Sequence, residues 1–462
     1  MIGGGSAGYH AASTASSAGL RVGLIESAER FGGLCILRGC MPTKTLLRSA
    51  EIAQLVRESD QLGIRSSSPR VDWPAVRQRK DELVEEIASY RQVSAEKLAN
   101  VEIICGRAEF LGPDSIEVGG QVLNAPKFAV TTGSEIAIPP LPGLEDVGYI
   151  DSDEAQTLDR LPESLLVIGG GAVALEFAQL FLRLGVAVTV VQRSAHVLSG
   201  MDSAIGIALA GYLEREGMTV VTETDILGFE RAPDGRKQVR VNTPSGERTF
   251  AAQEILIALG RRPATRGLGL DRAGVDTDRG WILVNTRMQT SNPNIYAAGD
   301  CIGPEVGPLQ VVHTAVQQGQ IIGNNVAERK PQEFDLRVVP QAVFTDPSVG
   351  VVGLSEVEAR DRHSSVIVAQ ETFEDQGKAL TMGQNKGLVK MVADGVTGEL
   401  LGVHVLGPEA ADLIHEAVVA MHYRATVDDF ARIPHLHPTL AEIMVDPAEE
   451  LAEMLAMPAP AR

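Results

Sequence analysis

Short apolar runs alternate with helix-length stretches through the first two thirds of the chain, a rhythm that predicts a doubly wound α/β arrangement. Val22-Gly23-Leu24-Ile25, Leu165-Leu166-Val167-Ile168 and Val186 to Val191 are brief and rich in β-branched residues, as buried parallel strands should be. A helical stretch runs from Tyr9 to about Ala18, ahead of the first of these strands. Trp73 to Leu98 is polar and periodic, which predicts a long exposed helix pair. Val130-Thr131-Thr132-Gly133 and Ile257-Ala258-Leu259-Gly260 are strands that end on glycine. From about residue 333 the pattern changes to strands such as Ala342-Val343-Phe344 and Gly387-Leu388-Val389-Lys390-Met391-Val392, then helices, so the last third reads as an α+β domain.

The glycines sharpen this picture because they repeat. Gly3-Gly4-Gly5-Ser6-Ala7-Gly8 opens the first helical stretch and fits G-x-G-x-x-G, while Gly169-Gly170-Gly171-Ala172-Val173-Ala174 follows the strand Leu165 to Ile168. Glu26 stands 23 residues after Gly3, and Gln192 stands 23 residues after Gly169. Such a loop allows a tight turn and close approach of a pyrophosphate at a helix N-terminus, and the acid after the next strand accepts ribose hydroxyls. Two such units imply two dinucleotides. The first carries the acid Glu26; the second carries Gln192 followed by Arg193, with His196 nearby, which favours a 2′-phosphate and hence NADPH over NADH. Only Met1 and Ile2 precede Gly3, against the roughly 5–6 residues usual for a first strand, so either the start lies late or that strand is short.

Cys35 and Cys40 lie just beyond the first unit, in Gly32-Gly33-Leu34-Cys35-Ile36-Leu37-Arg38-Gly39-Cys40-Met41-Pro42-Thr43-Lys44. Beside a nucleotide loop, with Arg38 and Lys44 as cations that favour thiolates, the pair reads as a redox-active disulfide next to a flavin rather than a structural crosslink. The chain holds four cysteines in 462 residues, as suits a reducing cytoplasm, and Cys105 and Cys301 read as inert. Its net charge of -19 disfavours nucleic acid and anionic membrane surfaces as partners, and no run is long and apolar enough to span a membrane. No metal ligands are assigned.

The cysteine segment resembles the disulfide signature of the flavin-dependent pyridine nucleotide-disulfide oxidoreductases, the family of dihydrolipoyl dehydrogenase, glutathione reductase and mercuric reductase, with Leu34 and Leu37-Arg38 departing from the usual residues. Thr290 to Asp300 resembles that family's second flavin motif, and Ile433-Pro434-His435-Leu436-His437-Pro438-Thr439-Leu440-Ala441-Glu442 its H-x-H-P-T-x-x-E motif. The resemblance implies an α/β protein with two Rossmann-like dinucleotide-binding domains, for FAD and NAD(P), and a C-terminal α+β dimerisation domain. The expected bounds are 1–138 with 265–332 for FAD, 139–264 for NAD(P) and 333–462 for the interface. FAD would be held by Gly3, Gly5, Gly8, Glu26, Gly133 and Asp300, and NADP or NAD by Gly169, Gly171, Ala174, Gln192, Arg193 and Gly260. Cys40 would face the flavin and Cys35 exchange with substrate. Lys44, paired with Glu176, would sit near the flavin's reactive nitrogen. His437, oriented by Glu442 with Pro438 in the first turn of a helix, would be the acid–base partner of Cys35. In the family that motif reaches the other subunit's disulfide, which implies a homodimer with shared active sites. His313 matches a histidine often present in dihydrolipoyl dehydrogenases.

The substrate is then a small-molecule dithiol or disulfide. Residues 454–462 contain no Cys, which demotes mercury, because that metal needs a relay of soft thiolates. An extended apolar dithiol such as dihydrolipoamide is the default. A mercuric reductase-like or other NADPH-dependent disulfide reductase, and a flavin-binding redox sensor or scaffold subunit that turns over little, are the alternatives.

Overall fold

Ile2 bridges Ile25 on one side and Val130 on the other, both in parallel register, so the residues ahead of the first glycine loop act as the middle of a sheet. The computed structural model describes residues 1–306 and 310–457, so the end of the Cys-free tail, 458–462, lies outside the described residues. The chain divides into two units: Met1–Leu46, Pro74–Ala137 and Gly260–Leu336 make the first, and Leu47–Trp73, Ile138–Leu259 and the chain from Arg337 the second.

In the first unit the parallel order is Val101–Cys105, Val22–Glu26, Ile2, Phe128–Val130, Ile295–Ala297. Helix α1 (Ser6–Ser17) packs against the helix Val312–Val326 at very short range, since a methyl on Gly319 or Gly323 would run into Ala7 or Thr14. The helices α2 (Gly33–Leu37) and α3 (Cys40–Glu58) follow the first strand pair. The expected helix pair over 73–98 is instead one continuous helix, α4 (Trp73–Glu96). Nothing after Pro74 punctuates it: Pro74 sits in the first turn, where its missing N–H has no helical partner to lose, and Lys80, Ala88 and Ala95 recur at near-heptad spacing as a buried stripe. Ser134–Ile136 and Arg261–Pro263, the two stretches that follow Gly133 and Gly260, pair antiparallel.

The second unit holds another parallel sheet, ordered Thr219–Val221, Ala187–Val191, Ser164–Ile168, Glu254–Ile257. Its helices include α5 (Ala172–Arg183) and α6 (Ser203–Glu216). Leu166, Ile168, Val191, Ile255 and Ile257 of this sheet share a core with Phe229, Val239 and Val241 of an antiparallel meander. The remainder is a five-stranded antiparallel sheet, ordered Gln341–Val343, Ser348–Gly353, Leu400–Gly407, Leu388–Asp394, Val366–Thr372. The helices Ala410–His422 and Val445–Ala456 cover it and bury Ile414, Ala417, Ala448 and Leu451. The architecture is thus α/β with two dinucleotide-binding modules and an α+β C-terminal part.

Candidate functional site

The first glycine loop is shaped by contacts that leave no room for side chains. Gly3 has φ +106°, and a methyl on it would overlap the Thr131 carbonyl oxygen; one on Gly8 would overlap the Gly3 carbonyl oxygen and come within 2.7 Å of Thr131 Oγ1. Thr131 Oγ1 donates to the Ile2 and Gly3 carbonyls at 3.0 and 2.9 Å and so pins the turn. Glu26 is buried, and its carboxylate accepts from the Gly4 and Ala28 N–H groups, both at 2.9 Å. Loop, helix N-terminus and acid fit the pyrophosphate and ribose of FAD.

The cysteine segment lies directly on this loop. A methyl on Gly33, φ +61°, would come within 2.7 Å of the Gly5 Cα. Gly39 likewise lets the chain fold back, since a methyl there would meet the Leu34 carbonyl oxygen at 3.0 Å and the Cys35 Cα at 3.4 Å. The result puts Cys35, in α2, against Cys40, the first residue of α3; both are half-buried thiols. Hydrogen bonding to Cys40, then burial, holds the Cys35 thiol far above its ordinary value, against the pull of the Lys44 ammonium. In a singly ionised pair the N-terminus of α3 favours the charge on Cys40, its first residue. Lys44 stands one turn beyond Cys40 on the same face of α3.

Asp300, just past the strand Ile295–Ala297, accepts a hydrogen bond from Ser134 Oγ at 2.8 Å, and Ser134 Oγ in turn accepts from Arg261 Nε at 2.7 Å. Burial pushes the Asp300 carboxyl up, opposed by the Ser134 hydrogen bond and the Arg261 charge. Sequence reasoning found Asp300 but missed Ser134 and Arg261. The signal was available: each is the residue after one of the strand-end glycines, Gly133 and Gly260.

In the second unit Gly169 has φ +123°, and a methyl there would overlap the Ala258 carbonyl oxygen. Gly171 precedes α5, where a methyl would meet nothing within 4 Å, and Ala174 is wholly buried. Gln192 is buried against Gly170 and accepts from the Arg193 N–H at 3.0 Å, while Arg193 is exposed. His196 lies on the same loop, its Nδ1 2.8 Å from the Val197 carbonyl oxygen. Glu176, buried on α5, accepts from the Phe344 N–H at 3.0 Å.

The C-terminal motif builds two His–carboxylate pairs of opposite character. His437 Nδ1 lies 2.8 Å from Glu442 Oε1, with its side chain 80% exposed. His435 Nε2 lies 2.7 Å from Glu416 Oε1, with its side chain only 6% exposed. The Glu442 carboxyl is held below its ordinary value by the Thr439 N–H and then by His437. Pro438 is not in the first turn of a helix: Thr439 caps a 3₁₀ helix, Leu440–Met444, and Pro438 lies outside it, joined to His437 by a cis peptide bond. The capping box between Thr439 and Glu442 is what aims the carboxylate at His437. His313 lies exposed in the first turn of Val312–Val326.

The profile of the family described as pyridine nucleotide-disulphide oxidoreductase matches residues 1–319, and its dimerisation domain matches 339–448. A dihydrolipoyl dehydrogenase of Thermus scotoductus is 40% identical over 455 residues, which cover 98% of this chain and 96% of that protein. A mercuric reductase of Lysinibacillus sphaericus is 34% identical over 445 residues, covering 96% and 80%. Among solved structures, the HOCl-induced flavoprotein disulfide reductase RclA from Escherichia coli aligns with a TM-score of 0.84 at 28% identity, covering 97% of this chain and 98% of that one. Among the described residues, no helix is long and apolar enough to cross a membrane.

Proposed function

The chain belongs to the pyridine nucleotide-disulphide oxidoreductase family, as an FAD-dependent, dihydrolipoyl dehydrogenase-like NAD(P)-disulfide oxidoreductase, and from that premise we propose that its Cys35–Cys40 pair exchanges electrons with a small dithiol or disulfide at sites shared between two subunits. The observation that carries this reading is the contact of Gly33 with Gly5, which seats two mutually hydrogen-bonded thiols on the loop that fits FAD. FAD, when bound, supplies the carrier between nicotinamide and disulfide.

The protein's own residues do the thiol chemistry. A substrate dithiol loses a proton to the partner subunit's His437 and attacks the Cys35 sulfur of the Cys35–Cys40 disulfide. Cys40 leaves as a thiolate, a state its place at the start of α3 favours. The second substrate sulfur then attacks the mixed disulfide, and Cys35 leaves and takes up a proton. The substrate has gained a disulfide and the enzyme has lost one. Glu442 accepts from the His437 Nδ1–H, which fixes the tautomer, leaves Nε2 to exchange the proton and stabilises the imidazolium. An extended apolar dithiol such as dihydrolipoamide is the substrate, with NADP+ as the electron acceptor in this direction, because Arg193 beside Gln192 favours the NADP(H) couple over NAD(H), and the enzyme works in the cytoplasm.

Mixed dimers test the shared site. Homodimers of Cys35→Ser and of His437→Ala should each lose most thiol chemistry. Exchanging subunits between them places both defects in one site and leaves the other intact, so each heterodimer should regain about half the parental activity, because one of its two sites keeps both nucleophile and proton acceptor. No recovery after demonstrated exchange would mean that each site is built within one chain.

A further inference from the structure

The loop that follows the strand Ala187–Val191 carries Arg193 and ends at Asp202, and both its ends and its middle are fastened. Gln192 donates its N–H to the Val221 carbonyl at 2.8 Å, and the Ser194 carbonyl accepts from the Glu223 N–H at 3.0 Å. The Leu198 N–H reaches the Gly170 carbonyl of the glycine loop at 2.7 Å, with Leu198 held at φ +51°. A methyl on Gly206 of α6 would overlap the Val197 carbonyl oxygen, so the loop also lies hard against that helix.

Its last residue is held by charge. Asp202 caps α6 by accepting from the Ala204 N–H at 3.0 Å, and also accepts from the Glu356 N–H at 3.1 Å. Lys390, on the strand Leu388–Asp394, donates to both Asp202 oxygens at 2.9 and 3.0 Å and pairs with Glu356 Oε2 at 2.8 Å. The Asp202 side chain is 2% exposed and that of Lys390 9%. Burial alone would raise the Asp202 carboxyl, but the Glu356 N–H, the Lys390 ammonium and the Ala204 N–H outweigh it and hold it low. His404, opposite Lys390 in register, is pushed down by burial and stays neutral, with Nε2 2.9 Å from the Leu354 carbonyl oxygen. Lys390 is thus the cation that balances two adjacent carboxylates.

A helix cap does not need such a pair, since Asn caps about as well as Asp. A buried ion pair also adds little stability over an apolar replacement, so what it adds is geometry. We propose that Lys390 and Asp202 are a positioning pair for nucleotide recognition, tying the end of the Arg193 loop to the C-terminal sheet so that Arg193 is held where the ribose 2′-phosphate arrives. This rests on the reading that Arg193 meets that phosphate.

Removing Lys390 or Asp202 alone would strand the other charge, so the test uses Lys390→Met/Asp202→Asn, which removes both and keeps the cap, while Glu356 retains Arg360, whose Nη2 lies 2.8 Å from Glu356 Oε1. In the FAD-loaded enzyme, the double variant should melt close to the parent and keep its kcat and its KM for the disulfide substrate. Its KM for NADPH should rise about tenfold while that for NADH stays within about twofold, a selective loss of binding to one nucleotide. A lowered melting temperature with an unchanged NADPH KM, or equal rises for both nucleotides, would reduce the pair to a structural one. Arg193→Glu separates the two claims. If it shifts preference and the double variant does not, the positioning pair fails alone; if Arg193→Glu shifts nothing, the phosphate reading fails and takes this inference with it.

Discussion

The two dinucleotide modules place the same parts at the same spacing yet treat their loops in opposite ways. In the first, Gly5 is covered by Gly33 of the cysteine segment, and the strand-end acid Glu26 is locked by two backbone N–H groups. In the second, Gly171 has open space where a side chain would go, the adjacent Val173 is 46% exposed, and the strand-end Gln192 is neutral with an exposed Arg193 beside it. A covered loop suits a cofactor that stays; an open one suits a nucleotide that comes and goes with each turnover. The repeat therefore marks two loops of one design, and the packing around them is where they differ.

The largest break in this comparison should come from the third glycine position. Ala174 occupies it in the second module without strain, whereas a methyl on Gly8 would overlap the Gly3 carbonyl oxygen. Gly8→Ala should destabilise the first module by about 3 kcal/mol, the upper range for overpacking, and yield protein without bound flavin. Gly171→Ala meets no neighbour, so it should keep flavin and melting temperature and weaken nicotinamide nucleotide binding alone. Visible absorbance and thermal melts of the two variants measure this. Equal flavin loss in both would erase the distinction between covered and open loops.

A smaller effect should follow from the strand-end side chains. Arg193→Glu places a carboxylate where the first module has Glu26 one residue earlier, and should move nucleotide preference from NADPH toward NADH by about 1.5–3 kcal/mol, or one to two decades in kcat/KM, the range of a charge-assisted contact. Flavin reduction followed with each nucleotide gives the ratio. A parent enzyme that used both equally would leave Arg193 as surface charge.

What the sequence showed, and what it hid, divides along chain distance. The glycine loops, the Cys35–Cys40 pair and the H-x-H-P-T-x-x-E segment are local patterns whose function depends on fixed spacing, so they were legible. Glu442 reaching His437 is one turn of chain and was legible too. Arg261 bonding Ser134, and Ser134 bonding Asp300, are separated by 127 and 166 residues; each of Ser134 and Arg261 follows a strand-end glycine, but that local mark does not say which distant residue it will meet. The same holds for Glu416 beneath His435 and for Lys390 on Asp202. Helix α4 was misread because a polar periodic stretch does not say where a helix ends unless glycine or proline says so, and none follows Pro74. The place of Pro438 was missed because Thr439, not proline, supplies the cap.

The smallest prediction concerns the part the two modules share without difference. Both loop helices end in the same motif: the Gly19 N–H donates to the Ser16 carbonyl and the Leu20 N–H to Ala15, just as the Gly185 N–H donates to Leu182 and the Val186 N–H to Phe181. Both glycines are left-handed, at φ +86° and +98°, and a methyl on either would meet nothing within 4 Å. The loss on substitution is then purely conformational, the roughly 1–2 kcal/mol of placing an L-residue in that region. Gly19→Ala and Gly185→Ala should each lower stability by that amount, with flavin content and nucleotide preference unchanged, while Asn at either site should lose less because it tolerates the left-handed region. Chemical denaturation of the FAD-loaded protein reads the difference. The one asymmetry is what surrounds the motif: Val186 and Phe181 are buried, whereas Leu20 is 37% exposed. If Gly185→Ala proves clearly worse than Gly19→Ala, the second helix end depends on that packing as well as on its hydrogen bonds, and the modules differ in their frames as well as in their loops.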